Sequence, residues 1–411
     1  MITKVKFDFI YLINNALSTC SFSKMNQPRK NFILYTLYLF ASIKGRINFL
    51  QLGRFGKYCE QYFRIGFQWK FDFLSFNRQL LQGRVSHDKA IAFDPSYLFK
   101  SGKCTPGVGR FWSGCAAKTK WGLEIAGFAV VDIIANTAYH LKAFQSPPPN
   151  ELKSENTNLL AHYGGLVLNN AKQWLSFSQY LLADAYFSKK PFIDNVLEAG
   201  MHLVSRLRDD AHLQYLYAGT QKTGKGRPKK YAGKMNAKSP DMDYFVLEED
   251  SPQMKILSAV VYARAFKRNI KVALVIYYDK QGRETARKIY FSTDTEMEAV
   301  KLVKYYRSRF QIEFLYRDAK QYAGLEHCQA RSKEKLDFHF NAALTSVNLA
   351  KIYHQINQDT NKGDFSMANF KNLFHNILML DLFISTFGIN PNTTKNQTKI
   401  KELLEFGKIV A

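Results

Sequence analysis

Residues 305–320 read YYRSRFQIEFLYRDAK and carry Tyr306, Arg309, Glu313 and Lys320 at fixed intervals. At about 100° per residue, these four side chains project from one helix stripe about 60° wide. A tyrosine, two cations and one carboxylate on a common stripe form a coherent surface for a phosphodiester backbone, because cations neutralise phosphates and a carboxylate can hold a metal ion. The alternative is an Arg309–Glu313 ion pair on a solvated helix face.

The helix around this stretch is expected to run without a break. Thr293–Glu296 fits a capping box for its first turn, and Thr295–Glu298 is an overlapping alternative. Gly324 is a natural stop for the last turn. Phe310 and Phe314 flank the stripe, which argues against a helix that is fully solvated.

The spacing Y-x2-R-x3-E-x6-K resembles the signature of DDE transposases of bacterial insertion sequences, specifically the insertion-sequence four family with its Y-R-E-K motif. The preceding residues, YFSTDTEMEAVKLVKYY, are also similar to that family's approach to its catalytic helix. The resemblance implies an α/β fold with a ribonuclease H-like mixed sheet and flanking helices, interrupted by a β-rich insertion, plus helical N- and C-terminal regions. It implies a DNA transposase that hydrolyses phosphodiester bonds at transposon ends and transfers the strands into target DNA.

Two more carboxylates follow apolar runs that are typical of sheet strands. Residues 90–94 read AIAFD, and Pro95 is expected to end this strand directly after Asp94. Asp184 follows the run YLLA at 180–183 in the same way. Both acids are therefore expected at the ends of strands of one sheet.

The resemblance implies that Asp94, Asp184 and Glu313 are the catalytic residues and that they hold two Mg²⁺ ions, with Mn²⁺ as a substitute. Phosphodiester cleavage is well served by two such ions about 3.5–4 Å apart, and hard oxygen ligands suit these ions better than zinc. Ala185 stands where the family has a glycine, which departs from its pattern. Asp132, inside an apolar strand, remains an alternative to Asp94 as a ligand.

The chain is strongly basic, because 58 Lys and Arg residues against 34 Asp and Glu give +24 at pH 7. This charge favours polyanionic partners, nucleic acid first and an anionic membrane surface second. Residues 222–234 hold cations and no acid, and their KGRPKK core resembles a minor-groove AT-hook, with a merely solvated loop as the alternative. We expect double-stranded DNA, as transposon ends and as target, to contact Tyr306, Arg309, Lys320, Lys225, Arg227, Lys229 and Lys230.

The pattern along the chain divides it into five regions. These are a helical, DNA-contacting N-terminal region (1–85), a first part of the catalytic core (86–208), a β-rich insertion (209–288), a second part of the core (289–340) and a helical C-terminal region (341–411). The core includes a predicted helix at 190–201 and a predicted strand at 202–207. In the insertion, a turn at Asp279–Gly282 is expected to close a hairpin. The polar residues 388–401 are expected to be loosely ordered.

Several other classes of protein are disfavoured. The five cysteines are scattered without a CxxC pair, which argues against a zinc site or a disulfide framework. The apolar run at 32–43 is too short to cross a bilayer, and residues 1–15 show no signal-peptide pattern. We therefore expect a cytoplasmic protein with no membrane partner and no small-molecule substrate, and the resemblance implies a nucleoid-associated bacterial one. The resemblance also implies a homodimer in the end complex, since two ends are joined together.

Two other functions stay open at this point. One is a non-catalytic DNA-binding derivative that represses or pairs the ends, although the presence of all three acids argues against it. The other is a structure-specific nuclease on the same fold, which would cleave junction or flap DNA without joining a 3′-end to a target.

Overall fold

A single twelve-stranded sheet organises the protein in the computed structural model, which describes residues 2–102, 104–221, 227–357 and 364–409. Its strands are β1 (Lys89–Phe99), β2 (Gly109–Ser113), β3 (Lys118–Asp132), β4 (Thr137–Gln145), β5 (Tyr180–Leu182), β6 (His202–Leu207), β7 (Leu213–Leu216), β8 (Tyr231–Lys234), β9 (Val246–Ser251), β10 (Met254–Ala263), β11 (Arg268–Tyr278) and β12 (Glu284–Ser292). The helices are α1 (Ile2–Leu17), α2 (Gln27–Ser42), α3 (Phe49–Phe55), α4 (Glu60–Gly66), α5 (Phe73–Leu81), α6 (Pro149–Ser154), α7 (Leu159–Asn169), α8 (Ala171–Leu175), α9 (Lys190–Glu198), α10 (Ala299–Ser308), α11 (Gln311–Tyr322), α12 (Lys333–Ile356), α13 (Met367–Thr386) and α14 (Thr394–Leu404). Among these described segments, no helix is long and apolar enough to cross a membrane.

The helices at the two ends of the chain pack together. α2 lies against α12 and α13, and the Phe9 and Phe374 rings of α1 and α13 have centroids 4.5 Å apart. Offset or tilted aromatic pairs at this distance add to the free energy gained by burying the rings. The expected loose order at 388–401 is wrong, because Thr393 caps α14 by accepting a hydrogen bond from the N–H of Asn396.

The core strands have the ribonuclease H-like arrangement that the resemblance implied. β4, β3 and β1 are antiparallel neighbours, and β5 and β6 continue the sheet parallel to β1. The chain passes from β4 to β5 through α6, α7 and α8, which supply the length that a crossover of this kind requires. On one face Phe93 contacts Tyr163 of α7 and Phe192 of α9, and α11 and α12 pack on the opposite face. The predicted strand at 202–207 is confirmed.

The strands of the β-rich segment extend the same sheet. β12 pairs with β6, and β11, β10, β7 and β8 follow it in order towards the far edge. The predicted hairpin is confirmed, since β11 and β12 are antiparallel partners. In its turn the Asp279 carboxylate accepts hydrogen bonds from the N–H groups of Gln281 and Arg283, which is how an aspartate fixes a tight turn.

Amide side chains of α12 form hydrogen bonds with backbone groups along the outer edge of β4. Asn348 accepts a hydrogen bond from the N–H of His140 at 2.7 Å and donates to its carbonyl at 2.8 Å. Asn341 likewise accepts a hydrogen bond from the N–H of Ala143 at 2.9 Å and donates to the Ala143 carbonyl at 3.0 Å. An uncovered edge would offer these backbone groups to another chain. The C-terminal helices are thereby tied to the core at defined residues.

The helix predicted to be continuous is interrupted at Arg309 and Phe310, which separate α10 from α11. Ile312 and Glu313 donate their N–H groups to carbonyls three residues back, as in a 3₁₀-helix, so the turn here is tighter than an α-helical one. The predicted capping box is also wrong, because α10 begins only at Ala299. A constant 100° per residue therefore does not describe this segment, and the relative positions of its side chains follow from their contacts.

Candidate active site

Asp94 and Asp184 are brought together by the parallel pairing of β1 with β5. Ala92 pairs with Leu182, the last residue of β5, and each aspartate lies two residues further along its own segment. Because the two segments share this register, the two carboxylates occupy equivalent positions at the point where β5 ends. Asp184 also caps the short 3₁₀ turn that follows it, by accepting a hydrogen bond from the N–H of Tyr186.

β1 does not end at Asp94, which corrects the sequence prediction. It continues to Phe99 because β3 pairs with it over its full length. Pro95 is tolerated within the strand because β5 has already ended, so that one side of β1 has no strand partner there. Asp94 therefore lies on mid-strand backbone that β3 holds in place.

Glu313 reaches the same place because α11 is fixed to the sheet at Asp94. The Tyr316 hydroxyl donates to the Asp94 carbonyl at 2.6 Å. Asp94 is paired across the sheet with Gly127, where an added Cβ would lie only 2.0 Å from the same hydroxyl. A glycine at this position thus allows the close approach of the helix that carries Glu313.

Arg309 lies between two of the three acids. Its Nη2 donates to Glu313 Oε1 at 2.9 Å, and its Nη1 is 3.6 Å from Asp94 Oδ1. The Arg309 side chain is only 12% exposed, yet its Nε and Nη1 find no hydrogen-bond partner among the described residues. A buried guanidinium with free donors beside carboxylates is well suited to bind phosphate oxygens as they enter.

The surroundings of Asp94 disfavour its charged form. The pKa of Asp94 is raised to about 7, chiefly by burial; Arg309 lowers it, and repulsion from Glu313 and Asp184 adds to the rise. The Glu313 and Asp184 carboxylates are therefore near enough to Asp94 to act on its charge. A cation bound among them would relieve that repulsion.

Residues 154–349 match the family model described as the transposase DDE domain. The chain carries a DDE transposase domain. The matched residues include Asp184 and Glu313, whereas Asp94 lies ahead of them. No curated protein matches the chain. The prediction of a DDE transposase from the Y-R-E-K spacing is confirmed, and the narrower assignment to the insertion-sequence four family stays a prediction.

The donor set of this transposase site suits hard divalent ions. Asp94, Asp184 and Glu313 supply carboxylate oxygens, the ligands that Mg²⁺ and Mn²⁺ prefer, without a sulfur or imidazole ligand. Across the residues with described positions, no three acidic, His or Cys side chains are already arranged at metal-binding distances. Glu313 Oε1 instead accepts a hydrogen bond from Arg309. The three acids fit these ions in the chemistry of their donor atoms.

Tyr306 and Lys320 border the three acids. The Tyr306 ring packs against Tyr290 with centroids 4.9 Å apart, and burial raises the pKa of its hydroxyl, to which the nearby charge of Asp184 adds. Lys320 donates to the Tyr97 carbonyl of β1 at 2.8 Å, three residues beyond Asp94. In this transposase, Arg309 and Lys320 thus contact β1, while Tyr306 packs on β12, despite the break in the helix.

Asp132, the alternative ligand, has a different role. It lies at the far end of β3, paired with Lys89, and its Oδ1 accepts hydrogen bonds from the N–H groups of Ile134 and Ala135. It also accepts from the N–H and the hydroxyl of Ser86, at 2.7 and 2.6 Å. These bonds fix the turn between β3 and β4, so Asp132 is a structural residue opposite the first residue of β1, five residues before Asp94.

The basic loop lies away from the three acids. Lys225 falls outside the described residues, while Arg227, Lys229 and Lys230 are exposed immediately before β8. β8 is seven strand positions from β1 in the sheet, on the order of 30 Å at about 4.8 Å per strand. DNA contacts made by this loop would therefore lie outside the cleavage site.

Sequence reasoning missed Tyr316, the residue that fixes α11, and with it Glu313, to the sheet. Its place three residues after Glu313 puts it on the same side of α11 and is a signal that could have been used. Its partner, Gly127, gives no local signal, because the need for a glycine arises only when α11 meets the sheet.

A pH effect follows from the raised pKa of Asp94. Between about pH 4 and 7 the folded protein keeps a proton on Asp94 that the unfolded chain has lost, so the free energy of unfolding falls as pH rises through this window. Asp94→Asn removes the titrating group and is expected to flatten the profile there. The check is urea unfolding of both proteins in EDTA from pH 4 to 8. Parallel profiles for the two proteins would contradict the assignment.

Proposed function

We propose that this protein cleaves DNA at the ends of a transposable element and transfers the strands into target DNA, with Asp94, Asp184 and Glu313 holding two divalent ions. The observation that carries the proposal is that one buried arginine, Arg309, pairs with both Asp94 and Glu313, while the β1–β5 register brings Asp184 next to Asp94. Mg²⁺ or Mn²⁺ bound there would activate the attacking oxygen and stabilise the leaving oxygen. Carboxylates that repel one another, as Asp94 and its neighbours do, gain most from such ions.

The other residues of the site would position the DNA. Arg309 has two nitrogen donors free of hydrogen bonds within the described chain, and these can bind a phosphate next to the acids. Lys320 and Tyr306 border the same space and would hold the neighbouring backbone. Tyr316 and Gly127 would keep Glu313 in register with Asp94. Prearranged donors of this kind stabilise a transition state without reorganisation at the moment of reaction.

Further proposals concern the DNA contacts outside the cleavage site, the oligomeric state and the location of the protein. We propose that Lys225, Arg227, Lys229 and Lys230 contact double-stranded DNA outside the cleavage site, and that the helical region 1–85 contributes further contacts. A homodimer in the end complex and membership of the insertion-sequence four family belong to the same proposal. We also propose the five-region division of the chain and a location beside the nucleoid in the bacterial cytoplasm.

The test is a cleavage and joining assay with the full-length protein and a plasmid that carries the DNA flanking its gene. We expect breaks at the element ends and joined products with Mg²⁺ or Mn²⁺, and neither product in EDTA. End binding without a break in either metal would support a non-catalytic DNA-binding derivative. Cleavage of branched DNA without joining would support a nuclease.

A further inference from the structure

The ribbon formed by β2 and the first residues of β3 carries two exposed tryptophans. β3 pairs with β1 only from Gly122 onwards, so residues 118–121 pair with β2 alone and extend past the end of β1. On this ribbon Trp112 is 61% exposed and Trp121 is 45% exposed. Large aromatic side chains left in water together are typical of a binding surface.

Both tryptophans lie on one face of the ribbon. Arg110 pairs with Trp121 and Trp112 pairs with Thr119, and directly paired residues of antiparallel strands point to the same side. Phe111 points to the other side, where it is buried and where α6 packs against β2. The face with the tryptophans is therefore the open one.

This open face continues the active-site face of the sheet. Trp121 and Gly127 are six residues apart on β3, so their side chains point the same way, and Gly127 faces Tyr316 beside Asp94. At about 3.3 Å per residue, Trp121 lies about 20 Å from the acids along the strand. The Tyr97 hydroxyl, which donates to the Trp121 carbonyl at 2.7 Å, ties the ribbon to β1 in between.

The positive charge of the ribbon favours an anionic ligand. No Asp or Glu occurs in the sequence between Asp94 and Glu124, and Arg110 lies on the open face directly opposite Trp121. Indole faces beside cations fit a DNA strand whose bases are unpaired, because bases stack on aromatic rings while phosphates meet the cations. Fully paired DNA hides its base faces, so it would not use the indoles. Trp112 and Trp121 are diagonal neighbours about 7–8 Å apart, which leaves room for a base on each.

We propose that this ribbon binds an unpaired stretch of DNA next to the cleavage site, with Trp112 and Trp121 stacking on bases and Arg110 binding the backbone. The proposal rests on the proposed function, because DNA in the active site supplies the strand. Trp121 is held in place by the hydrogen bond from its Nε1 to the Gly102 carbonyl at 3.2 Å. Because Trp112 is more exposed than Trp121, its substitution disturbs the fold less, so Trp112 is the better position for the test.

The test compares the affinity of the full-length protein, in EDTA, for a duplex with an oligothymidine tail and for the same duplex with blunt ends. Trp112→Ala is expected to weaken binding of the tailed DNA about tenfold and to leave binding of the blunt DNA within twofold, since one stacked base is lost. Trp112→Phe should keep most of the affinity. Tail binding should quench tryptophan fluorescence in the wild type and less in Trp112→Ala.

The control is Ile134→Ala, which truncates a residue of similar exposure (59%) in the turn that follows the other end of β3. Unchanged tail affinity in Trp112→Ala, or equal losses for tailed and blunt DNA, would overturn the proposal. A change in oligomeric state with unchanged tail affinity would also overturn it, by assigning the face to a second copy of the chain. If the wild type binds neither DNA, the proposed function itself fails. If the wild type cleaves DNA while Trp112→Ala binds the tail normally, the ribbon proposal alone fails.

Discussion

Glu313→Gln is expected to abolish DNA cleavage while leaving DNA binding intact. The amide keeps the oxygen that accepts from Arg309 but removes the negative charge that a divalent ion needs as a ligand. We expect the rate of end cleavage in Mg²⁺ to fall by at least about 10³-fold, equivalent to about 4 kcal/mol of transition-state stabilisation. Single-turnover cleavage of end DNA measures the rate, and a mobility shift measures binding.

Asp337→Asn is the matched control for this experiment. Asp337 lies on α12, its side chain is 38% exposed against 39% for Glu313, and it also pairs with a single cation, Lys142 at 2.9 Å. Its substitution should leave the cleavage rate within about twofold, because surface ion pairs of this kind contribute little. Wild-type cleavage by Glu313→Gln would show that Glu313 does not act in the reaction.

Arg309→Gln is expected to destabilise the fold by about 2 kcal/mol at pH 8 in EDTA, because Asp94 and the more exposed Glu313 lose the buried cation that they share. Added Mg²⁺ should restore more stability to this variant than to the wild type, since an ion among the acids replaces the missing positive charge. Urea unfolding with and without Mg²⁺ measures both effects. Equal stability of the two proteins in EDTA would contradict the pairing of Arg309 with Asp94 and Glu313.

Arg317→Gln provides the comparison on the same helix. Arg317 pairs with the adjacent Asp318, whose side chain is only 8% exposed, so Arg317→Gln also deprives a carboxylate of its cation, but away from the three acids. Its loss should destabilise the fold by about 1–2 kcal/mol and should not alter the response to Mg²⁺. A similar Mg²⁺ response in Arg309→Gln and Arg317→Gln would indicate a general effect of ionic strength.

Much of the core was predictable because local sequence and local structure agree. The apolar runs before Asp94 and Asp184 fold as the neighbouring strands β1 and β5, and the turn at Asp279 closes the expected hairpin. The Y-R-E-K spacing predicted the transposase domain because four such residues at fixed intervals match the family's signature.

The remaining features depend on contacts between distant parts of the chain. β1 runs past Pro95 because β3, which begins more than twenty residues later, pairs with it. The 3₁₀ turn at Arg309 changes the direction of the signature side chains, and no residue type near it predicts such a turn. The need for glycine at position 127 appears only once Tyr316 is docked on the sheet.

The most direct test of the central claim is the anomalous scattering of Mn²⁺ in crystals of the full-length protein grown or soaked with that ion. We predict anomalous peaks among the carboxylates of Asp94, Asp184 and Glu313 in the wild type, and a weaker or missing peak in Glu313→Gln. Ordered Mn²⁺ elsewhere on the protein, with none among these three acids, would contradict the account.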